Sequence, residues 1–473
     1  MTPPSASKVA SLAPLATKST NSRVSSVALS ILLLAYLLNN VDRFILSILS
    51  QPIKEDLQLT DTQLGLLTGF AFSLLYVVCG FPMARWSDRG NRKVILCTCI
   101  TFWSVMTALC GLAANFVQLC LFRAGVGVGE AGCLPASHSL ISDMFPAEAR
   151  TKAMAIFGLG MPLGGLAGMV IGGFVTDHWG WRAALLVVGL PGLIVAALIL
   201  LVIKEPERGR FDEVSAAPTV RTETMLDIGK VLWRSPVARN VILALIGAGL
   251  MGAPNVVFMG PYMIRRFDLG YTELGVILAL TFMLGSAIST LGGGLLIDRV
   301  ARRDRRWTLW IPAIGIGLSA PVYVIGYVQS SWPAFSALLF IGAVLNSTYL
   351  APSYAVLHDT VGPSGRASAS VIAAFFLSMV AGGIGPLLGG YAIDWLASGL
   401  FDSALAASFL ESCPGGIAPA GSGSELAMAC DTSLISATQY VIAGTLACMV
   451  WPAWHYARAA KAMGSRTAAQ AEC

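Results

Sequence analysis

Twelve long apolar runs, separated by short polar stretches, dominate the hydropathy pattern of this chain. A bilayer core about 30 Å thick requires about 20 residues of α-helix, and each run is long enough to cross it. The pattern therefore predicts an all-α, polytopic membrane protein with two sets of six helices. The runs lie at 27–50, 62–83, 94–114, 116–145, 150–178, 181–203, 237–263, 271–297, 307–328, 332–358, 367–398 and 433–458.

Five regions follow from this pattern. The two bundles occupy 27–203 and 237–458, and a polar cytoplasmic linker at 204–236 joins them. Residues 1–26, rich in Ser, Thr, Ala and Pro, are predicted to form a disordered cytoplasmic N-terminus, and 459–473 a cytoplasmic tail. The composition agrees, because only 12% of the residues are charged, whereas soluble domains carry about 25%. A soluble protein is therefore excluded.

The basic residues lie mainly on one side of the predicted membrane layout. The termini, the linker and the loops of that side hold 25 of the 31 Lys and Arg residues. Only Lys54, Arg182, Arg265 and Arg266 fall near the opposite ends. Because cytoplasmic loops carry an excess of Lys and Arg, both termini are predicted to be cytoplasmic. The Ala- and Gly-rich composition favours a bacterial chain, and hence a multi-pass protein of the bacterial inner membrane.

The two halves of the chain resemble each other in three places. Each place pairs a short motif with a similar one 210 to 217 residues later, and the three pairs keep the same order. Parallel repeats of this kind are typical of transporters whose two bundles rock about a central site. The pairs are "ARWSDRGNRK" at 84–93 with "GLLIDRVARR" at 294–303, "GGFVTDHW" at 172–179 with "GGYAIDW" at 389–395, and "SDMFPAEAR" at 142–150 with "HDTVGPSGR" at 358–366.

The first of these motifs carries a family resemblance. Residues 84–93 are similar to the G-x-x-x-D-R-x-G-R-[RK] motif of the major facilitator superfamily, with Ala84 in place of the first glycine. The resemblance covers roughly 28–458, and it implies the major facilitator fold, alternating access and a monomer. The matching positions are Asp88, Arg89, Gly90, Arg92 and Lys93, repeated more loosely by Gly294, Asp298, Arg299, Arg302 and Arg303.

Other stretches resemble the spinster branch of that superfamily. They are "NNVDR" on the first predicted helix, "RAGVGVGEA" on the fourth, "ISDMFPAEARTKAMAIF" and "GMPLGGLAGMVIGG". This narrower resemblance implies transport of lysophospholipids or sphingoid-type phosphates, coupled to protons. The expected partners are therefore membrane lipids and an amphipathic small molecule. No cofactor is expected beyond protons as the coupling ion.

Four charged residues lie well inside the predicted helices, away from their ends, namely Asp42, Arg43, Arg123 and Glu130. Facing lipid, they would together cost on the order of 10 kcal/mol, so they are predicted to face the bundle interior and to pair. In the superfamily the first and fourth helices both line the cavity, which favours the pairs Arg43–Glu130 and Asp42–Arg123. We interpret Asp42 and Glu130 as proton-coupling residues and the two arginines as ligands for an anionic headgroup. The alternative is that all four only hold two helices together.

The second half has no matching charged centre. It offers polar and aromatic residues among apolar ones instead, which suits an amphipathic cargo. Asn255, Tyr262, Asn346, Tyr349 and Tyr354 are predicted to bind the substrate. Hydrogen bonds between helices are an equally favoured role for each of them.

The charged loop motifs are predicted to control which side of the transporter is open. Asp88 is expected to pair with Arg150 or to accept hydrogen bonds from the N-terminus of a neighbouring helix. For Arg89, Arg92 and Lys93 a role in fixing the topology is favoured over gating. The candidate gating residues are Asp88, Arg89, Arg92, Arg150, Asp298 and Arg299.

Two of the ten cysteines fall in one polar loop at 399–432. If that side is oxidising, Cys413 and Cys430 are predicted to form a disulfide. The cysteines of the apolar runs are interpreted as small buried hydrophobic residues rather than metal ligands.

The sequence contains no nucleophile elbow, phosphate-binding loop or metal-ligand spacing, and an enzyme is not predicted. The net charge of +5 is spread over short loops, so no nucleic-acid partner is expected. Two other functions remain open. One is a facilitator antiporter of drugs or small organic anions, and the other is a membrane sensor or scaffold that transports nothing.

Overall fold

A computed structural model describes residues 22–211, 224–401 and 408–471 of the chain. Within these ranges, eleven helices are long and apolar enough to cross a membrane. The first half contains α1 (Val24–Asp56), α2 (Asp61–Arg89), α3 (Arg92–Cys110), α4 (Phe116–Met144) and the helix Glu148–Val202. The second half contains α7 (Pro236–Phe267), α8 (Tyr271–Ala301), α9 (Trp307–Tyr327), α10 (Trp332–Gly362), α11 (Ser368–Leu400) and α12 (Ser424–Gly464).

The helix Glu148–Val202 crosses the membrane twice. Gly180 within it has φ +80°, a left-handed conformation that reverses the chain at little cost only in glycine. The two parts are α5 (148–179) and α6 (181–202), which gives six spanning helices in each half, as predicted. Gly362, with φ +72°, separates α10 from α11 in the same way. The predicted tail is partly helical, because the last helix, Val450–Ala471, extends beyond the end of α12 at Gly464.

Three of the spanning helices contain wider π-helical turns. The turns are Leu66–Phe70 in α2, Ala279–Met283 in α8 and Leu377–Ile384 in α11. Such turns occur frequently at functional sites. In α10 a short 3₁₀ turn, Ser347–Tyr349, interrupts the regular helix.

The molecule has two hydrophobic cores, one within the first half and one in the second half that also includes Ile48, Leu64 and Met169 of the first. Large apolar side chains also cover the outside. Ile45 and Leu140 are fully buried in the first core, and Leu434 in the second. By contrast, Leu201 is 83% exposed and Leu295 is 73% exposed. A surface of that kind suits a protein surrounded by lipid rather than water.

We call the face of the molecule at which α1 begins the terminus side, and the opposite face the far side. Because each half contains six spanning helices, α12 also ends on the terminus side. The described part of the linker at 224–236 contains the helix Met225–Arg234, whose Ile228 and Leu232 are buried against the second bundle. Thr224 caps this helix, and hydrogen bonding from its hydroxyl holds the pKa of the Asp227 carboxyl below its usual range.

Candidate functional site

The four charged residues of the first bundle form two crossed ion pairs, as predicted. Adjacent positions of α1 carry Asp42 and Arg43, so their side chains diverge and reach different partners. Two turns of α4 separate Arg123 from Glu130. The Arg43 Nε donates to the Glu130 Oε2 at 2.6 Å, and the Arg123 Nη1 donates to the Asp42 Oδ1 at 3.3 Å. The site therefore joins α1 to α4 without exposing a bare charge to lipid.

Aromatic side chains of α2 separate the two pairs. The ring centre of Phe72 lies 5.2 Å from the Arg43 guanidinium and 4.7 Å from that of Arg123. Tyr76 stacks on Phe72, and its ring lies 4.6 Å from the Arg43 guanidinium. These distances are within the range of cation–π attraction, which strengthens as the cation loses water. Neither aromatic residue was predicted from the sequence to belong to the site, although their spacing of four places them on one face of α2.

A third helix contributes to the Asp42 side of the site. The hydroxyl of Thr107, on α3, donates to the Asp42 Oδ2. Asp42 thus accepts from two donors, and both it and Thr107 are buried. Thr107 was also missed, because a single hydroxyl in an apolar helix gives no sequence signal of its own.

The two pairs differ in their access to solvent. The Arg43 side chain is 30% exposed, whereas those of Arg123 and Asp42 are 5% and 3% exposed. The Glu130 side chain is fully buried, and its Oε1 has no hydrogen-bond partner among the described residues. The Arg123 Nε likewise has no hydrogen-bond partner among the described residues. Arg43 is therefore the member of the set that a dissolved ligand can reach, and the buried members keep unused hydrogen-bonding capacity.

Two of the predicted substrate ligands lie in the core of the second bundle instead. Tyr262 is 1% exposed and Asn255 is 4% exposed. The Tyr327 hydroxyl donates to the Asn255 Oδ1 at 2.6 Å, and the Tyr262 hydroxyl donates to the Tyr327 carbonyl oxygen at 3.4 Å. This corrects the prediction. Both side chains form hydrogen bonds with Tyr327 at the end of α9, so the alternative of hydrogen bonding between helices is the observed one.

The remaining predicted ligands lie on α10 around its 3₁₀ turn. Asn346, Tyr349 and Tyr354 are each partly exposed, and the Asn346 Oδ1 is buried without a hydrogen-bond partner in the described chain. Tyr349 packs near Tyr456, with 6.4 Å between ring centres. No hydrogen bond within the described ranges joins these three residues to the charges of the first bundle.

The loop motifs of the terminus side are mostly exposed. Asp88, Arg89, Asp298 and Arg299 all lie on the surface, and none has an ion-pair partner in the part of the chain that the structure describes. The expected pair of Asp88 with Arg150 is therefore not formed. The Arg150 Nη2 donates instead to the Ser142 carbonyl oxygen at 2.9 Å.

Arg92 differs from the other motif residues, because it is fully buried. Its Nε donates to the Glu205 Oε1 at 2.7 Å, its Nη1 pairs with Asp143, and its Nη2 donates to the Pro206 carbonyl oxygen at 2.7 Å. This corrects the interpretation of Arg92 as chiefly a topology signal or a gate. It fastens α3 and α4 to the segment that follows α6. Its partners follow it by 51 and 113 positions, so sequence spacing could not reveal them.

The far side carries a second charged cluster. Lys54 and Asp61 form an ion pair at 2.5 Å, and the side chain of each is 2% exposed. The loop before α12 reaches this cluster from the other bundle. Gly415 lies so close to helix α1 that a Cβ on it would be 3.0 Å from the Lys54 carbonyl oxygen. A disulfide between Cys413 and Cys430 closes the loop, with 5.7 Å between the Cα atoms.

Comparison with known proteins agrees with the resemblance seen in the motifs. The family model of the Major Facilitator Superfamily matches residues 32–320 and 243–410. The chain is similar to an MFS-type efflux pump of Mycolicibacterium smegmatis, with 33% identity over 383 residues, or 81% of this chain and 88% of the pump. It is also similar to Protein spinster homolog 1 of Xenopus tropicalis, with 28% identity over 381 residues, or 77% of this chain and 72% of that protein.

The same likeness extends to a solved structure. A bacterial homolog of the human lysosomal transporter spinster, crystallised in an inward-facing and unoccupied conformation, superposes with a TM-score of 0.85. The two chains are 28% identical, and the alignment covers 93% of this chain and 97% of the other. These findings confirm the predicted fold and the resemblance to the spinster branch.

Proposed function

The chain belongs to the Major Facilitator Superfamily, and from this we propose that it is a proton-coupled secondary active transporter of an amphipathic, anionic, lipid-like substrate. Lysophospholipids and sphingoid phosphates are the substrate types. The superfamily is one of membrane transporters rather than enzymes. The observation that carries the proposal is the pair of crossed ion pairs, in which Arg43 is accessible and its partner Glu130 is not.

The geometry supports an assignment of roles within the two pairs. A proton that binds Glu130 neutralises the carboxylate that holds Arg43, and the released guanidinium can then bind an anionic headgroup. A proton that binds Asp42 releases Arg123 in the same way. Binding of the proton to Glu130 therefore favours binding of the substrate to Arg43, which couples their movements. Protonation of Asp42 acts on Arg123 rather than on Arg43, because Arg43 is held by Glu130.

The surroundings of Arg43 favour a substrate with both a charged and an apolar part. Its guanidinium rests on the rings of Phe72 and Tyr76, so an anion that pairs with it also meets an aromatic wall. The second bundle offers Tyr349 and Tyr354, which are partly exposed, and no charged centre of its own. An anionic head bound to the first bundle, with its apolar tail against the second, fits this division.

The facing state is inferred from where the two bundles touch. The excess of Lys and Arg supports a cytoplasmic terminus side. The bundles touch on the far side, where Gly260 of α7 lies so close to α1 that a Cβ would be 2.4 Å from the Ser47 carbonyl oxygen. We therefore assign the structure to the inward-facing state. The similarity to a relative crystallised in an inward-facing conformation supports this assignment.

Uptake into proteoliposomes tests the proposal. A fluorescent lysophospholipid is supplied with and without a pH gradient to the wild-type protein and to Arg43→Ala, Glu130→Gln and Asp42→Asn. We expect the gradient to stimulate wild-type uptake and Glu130→Gln and Asp42→Asn to lose that stimulation, whereas Arg43→Ala loses uptake altogether. Arg182→Gln is the matched control, because it also breaks an Arg–carboxylate pair, with Asp56, but on the exposed far side. Gradient-stimulated uptake in all three site variants would refute the proposal.

A second function has one specific observation in its favour. The similarity to an MFS-type efflux pump, at 33% identity over 81% of this chain, supports an antiporter of drugs or small organic anions. The two functions differ in what competes with the lysophospholipid. Competition by a sphingoid phosphate supports the lipid-like cargo. Competition by small organic anions or drugs, without an effect of sphingoid phosphate, supports the antiporter.

A further inference from the structure

A carboxylate of the second bundle holds the start of a helix in the first. Asp394 lies near the far end of α11, and α2 begins at Asp61. The Asp394 Oδ1 accepts from the backbone N–H of Asp61 at 2.9 Å. Its Oδ2 accepts from the backbone N–H of Thr62 at 2.7 Å and from the Thr62 hydroxyl at 2.5 Å. The first amides of a helix have no partner within it, so Asp394 supplies one from across the bundle boundary.

The same contact occurs a second time with the bundles exchanged. Asp177 lies at the far end of α5, in the first bundle, and α8 of the second bundle begins at Tyr271. The Asp177 Oδ1 accepts from the backbone N–H of Tyr271 at 2.9 Å, and its Oδ2 accepts from that of Thr272 at 2.7 Å. A carboxylate at a helix N-terminus also interacts favourably with the helix dipole.

The internal repeat relates these two contacts. Asp177 and Asp394 are equivalent positions of "GGFVTDHW" and "GGYAIDW", 217 residues apart. The helix starts at Asp61 and Tyr271 are 210 residues apart, the same offset as the loop motifs. An accidental contact would not recur at both symmetry-related places.

Glycines at equivalent positions make the close approach possible. Gly390, four residues before Asp394, lies on the same face of α11, and a Cβ there would be 2.0 Å from the Asp61 carbonyl oxygen. Gly173, four residues before Asp177, lies on the same face of α5 as that residue, and a Cβ added there would be 2.3 Å from the Tyr271 carbonyl oxygen. No side chain can be added at such distances without separating the helices.

We propose that Asp177 and Asp394 are a matched pair of gating residues for transport, which hold the far side closed by capping α8 and α2. Opening the far side removes both caps at once, and it exposes the first amides of each helix to water. The two caps are unequal. Asp394 is 7% exposed and makes three hydrogen bonds, whereas Asp177 is exposed to solvent, which competes for the same amides. Asp394 therefore contributes more to closure.

Distances between spin labels test this proposal. Labels on Ala114, in the far-side loop of the first bundle, and on Ser330, in that of the second, report the separation of the bundles. The background retains the Cys413–Cys430 disulfide and lacks the other cysteines. The labelled protein is compared with Asp394→Ala, Asp177→Ala, the double variant and the two Asp→Asn variants. Asp56→Asn is the control, because Asp56 is a far-side acid that pairs with Arg182 inside one bundle.

Loss of the Asp394 cap is expected to shift the ratio of open to closed far side about fivefold, since a cap contributes about 1 kcal/mol, and loss of the exposed Asp177 cap is expected to shift it less. The double variant is expected to shift it by the product of the two single shifts, because the two caps lie on different helices and act independently. The Asn variants, which keep one amide oxygen as an acceptor, are expected to fall between wild type and Ala. A separation in the double variant equal to that of wild type and Asp56→Asn would overturn the proposal.

The capping proposal rests on the proposed transport function only for the role that the two caps have in the transport cycle. The distances are measured without substrate and without a pH gradient. A shift in the distances together with no lysophospholipid uptake would therefore leave the gate intact and reject the cargo. Gradient-driven uptake together with unchanged distances would reject the gate and leave the cargo.

Discussion

The far side and the terminus side use their acidic residues differently. On the far side, Asp177 and Asp394 accept hydrogen bonds from helix starts of the opposite bundle. On the terminus side, the acids at the ends of α2 and α8, Asp88 and Asp298, are exposed and without ion-pair partners among the described residues. All four acids belong to the helices α2, α5, α8 and α11, which meet between the bundles.

This difference is one of conformation rather than of composition. Each end of the molecule carries a repeated acid, but only one end brings its acids to a helix N-terminus. A transporter that closes its ends alternately would engage the acids of one side at a time. Asp88 and Asp298, the acids of the other repeated motif, are exposed and without ion-pair partners in the described ranges while the far side is closed.

The largest effect is expected from filling the space that far-side closure needs. Gly390→Leu places a side chain where even a Cβ would lie 2.0 Å from the Asp61 carbonyl oxygen. We expect uptake to be lost and the Ala114–Ser330 distance to be long. Gly399→Leu is the matched control on α11, because a Cβ at Gly399 meets nothing within 4 Å. Wild-type uptake in Gly390→Leu would show that the close approach is not required.

Arg92→Ala is expected to affect stability and not the facing state. It leaves Asp143 and Glu205 without their cation, and breaking a buried ion pair in this way costs about 3–5 kcal/mol. Thermal unfolding in detergent should therefore occur at a clearly lower temperature, while the far-side distance stays that of wild type. Arg305→Ala, which breaks the exposed pair with Asp359, should cost less than about 1 kcal/mol. Equal melting temperatures of the two variants would contradict the role of Arg92.

The far-side loop is expected to lose stability when its disulfide is removed. Sixteen residues separate Cys413 from Cys430, and closing a loop of about this length contributes about 3 kcal/mol. The double Cys→Ser variant should melt at a lower temperature than wild type. Cys448→Ser, which changes an exposed free cysteine, should not. A reductant should lower the melting temperature of wild type and leave that of the double variant unchanged.

The smallest effect is expected from the terminus-side acids in this state. The double variant Asp88→Ala and Asp298→Ala removes two exposed carboxylates that have no ion-pair partner among the residues that the structure describes. The distance between labels on Ala114 and Ser330 should therefore remain that of the closed far side. A population with a longer distance would mean that these acids already contribute to far-side closure.

The fold and the charged pairs could be predicted from the sequence for a simple physical reason. Charges within a spanning helix are costly, so Asp42, Arg43, Arg123 and Glu130 had to find one another, and their spacing on α1 and α4 restricted the pairing. Uncharged polar residues carry no such constraint. Asn255 and Tyr262 satisfy their hydrogen bonds equally well in a bundle core or in a cavity, and the sequence does not distinguish these faces.

Other roles depended on contacts that only the assembled fold provides. The repeated motif around Asp177 and Asp394 was visible in the sequence, but its partners are backbone amides, which every helix start possesses. Arg92 belongs to a motif whose charges are typical of a cytoplasmic loop. It is buried because α4 and the segment that follows α6 both contact it. Phe72 acquires its role only from the two arginines that flank it.

The central claim is that Glu130 exchanges a proton while Arg43 takes the substrate headgroup. It is tested most directly by comparing accumulation with exchange in Glu130→Gln proteoliposomes. Accumulation of labelled lysophospholipid is measured under a pH gradient, and exchange is measured against unlabelled substrate with no gradient. We predict that Glu130→Gln retains exchange and loses gradient-driven accumulation, whereas Arg43→Ala loses both. Gradient-driven accumulation in Glu130→Gln equal to that of wild type would contradict the claim.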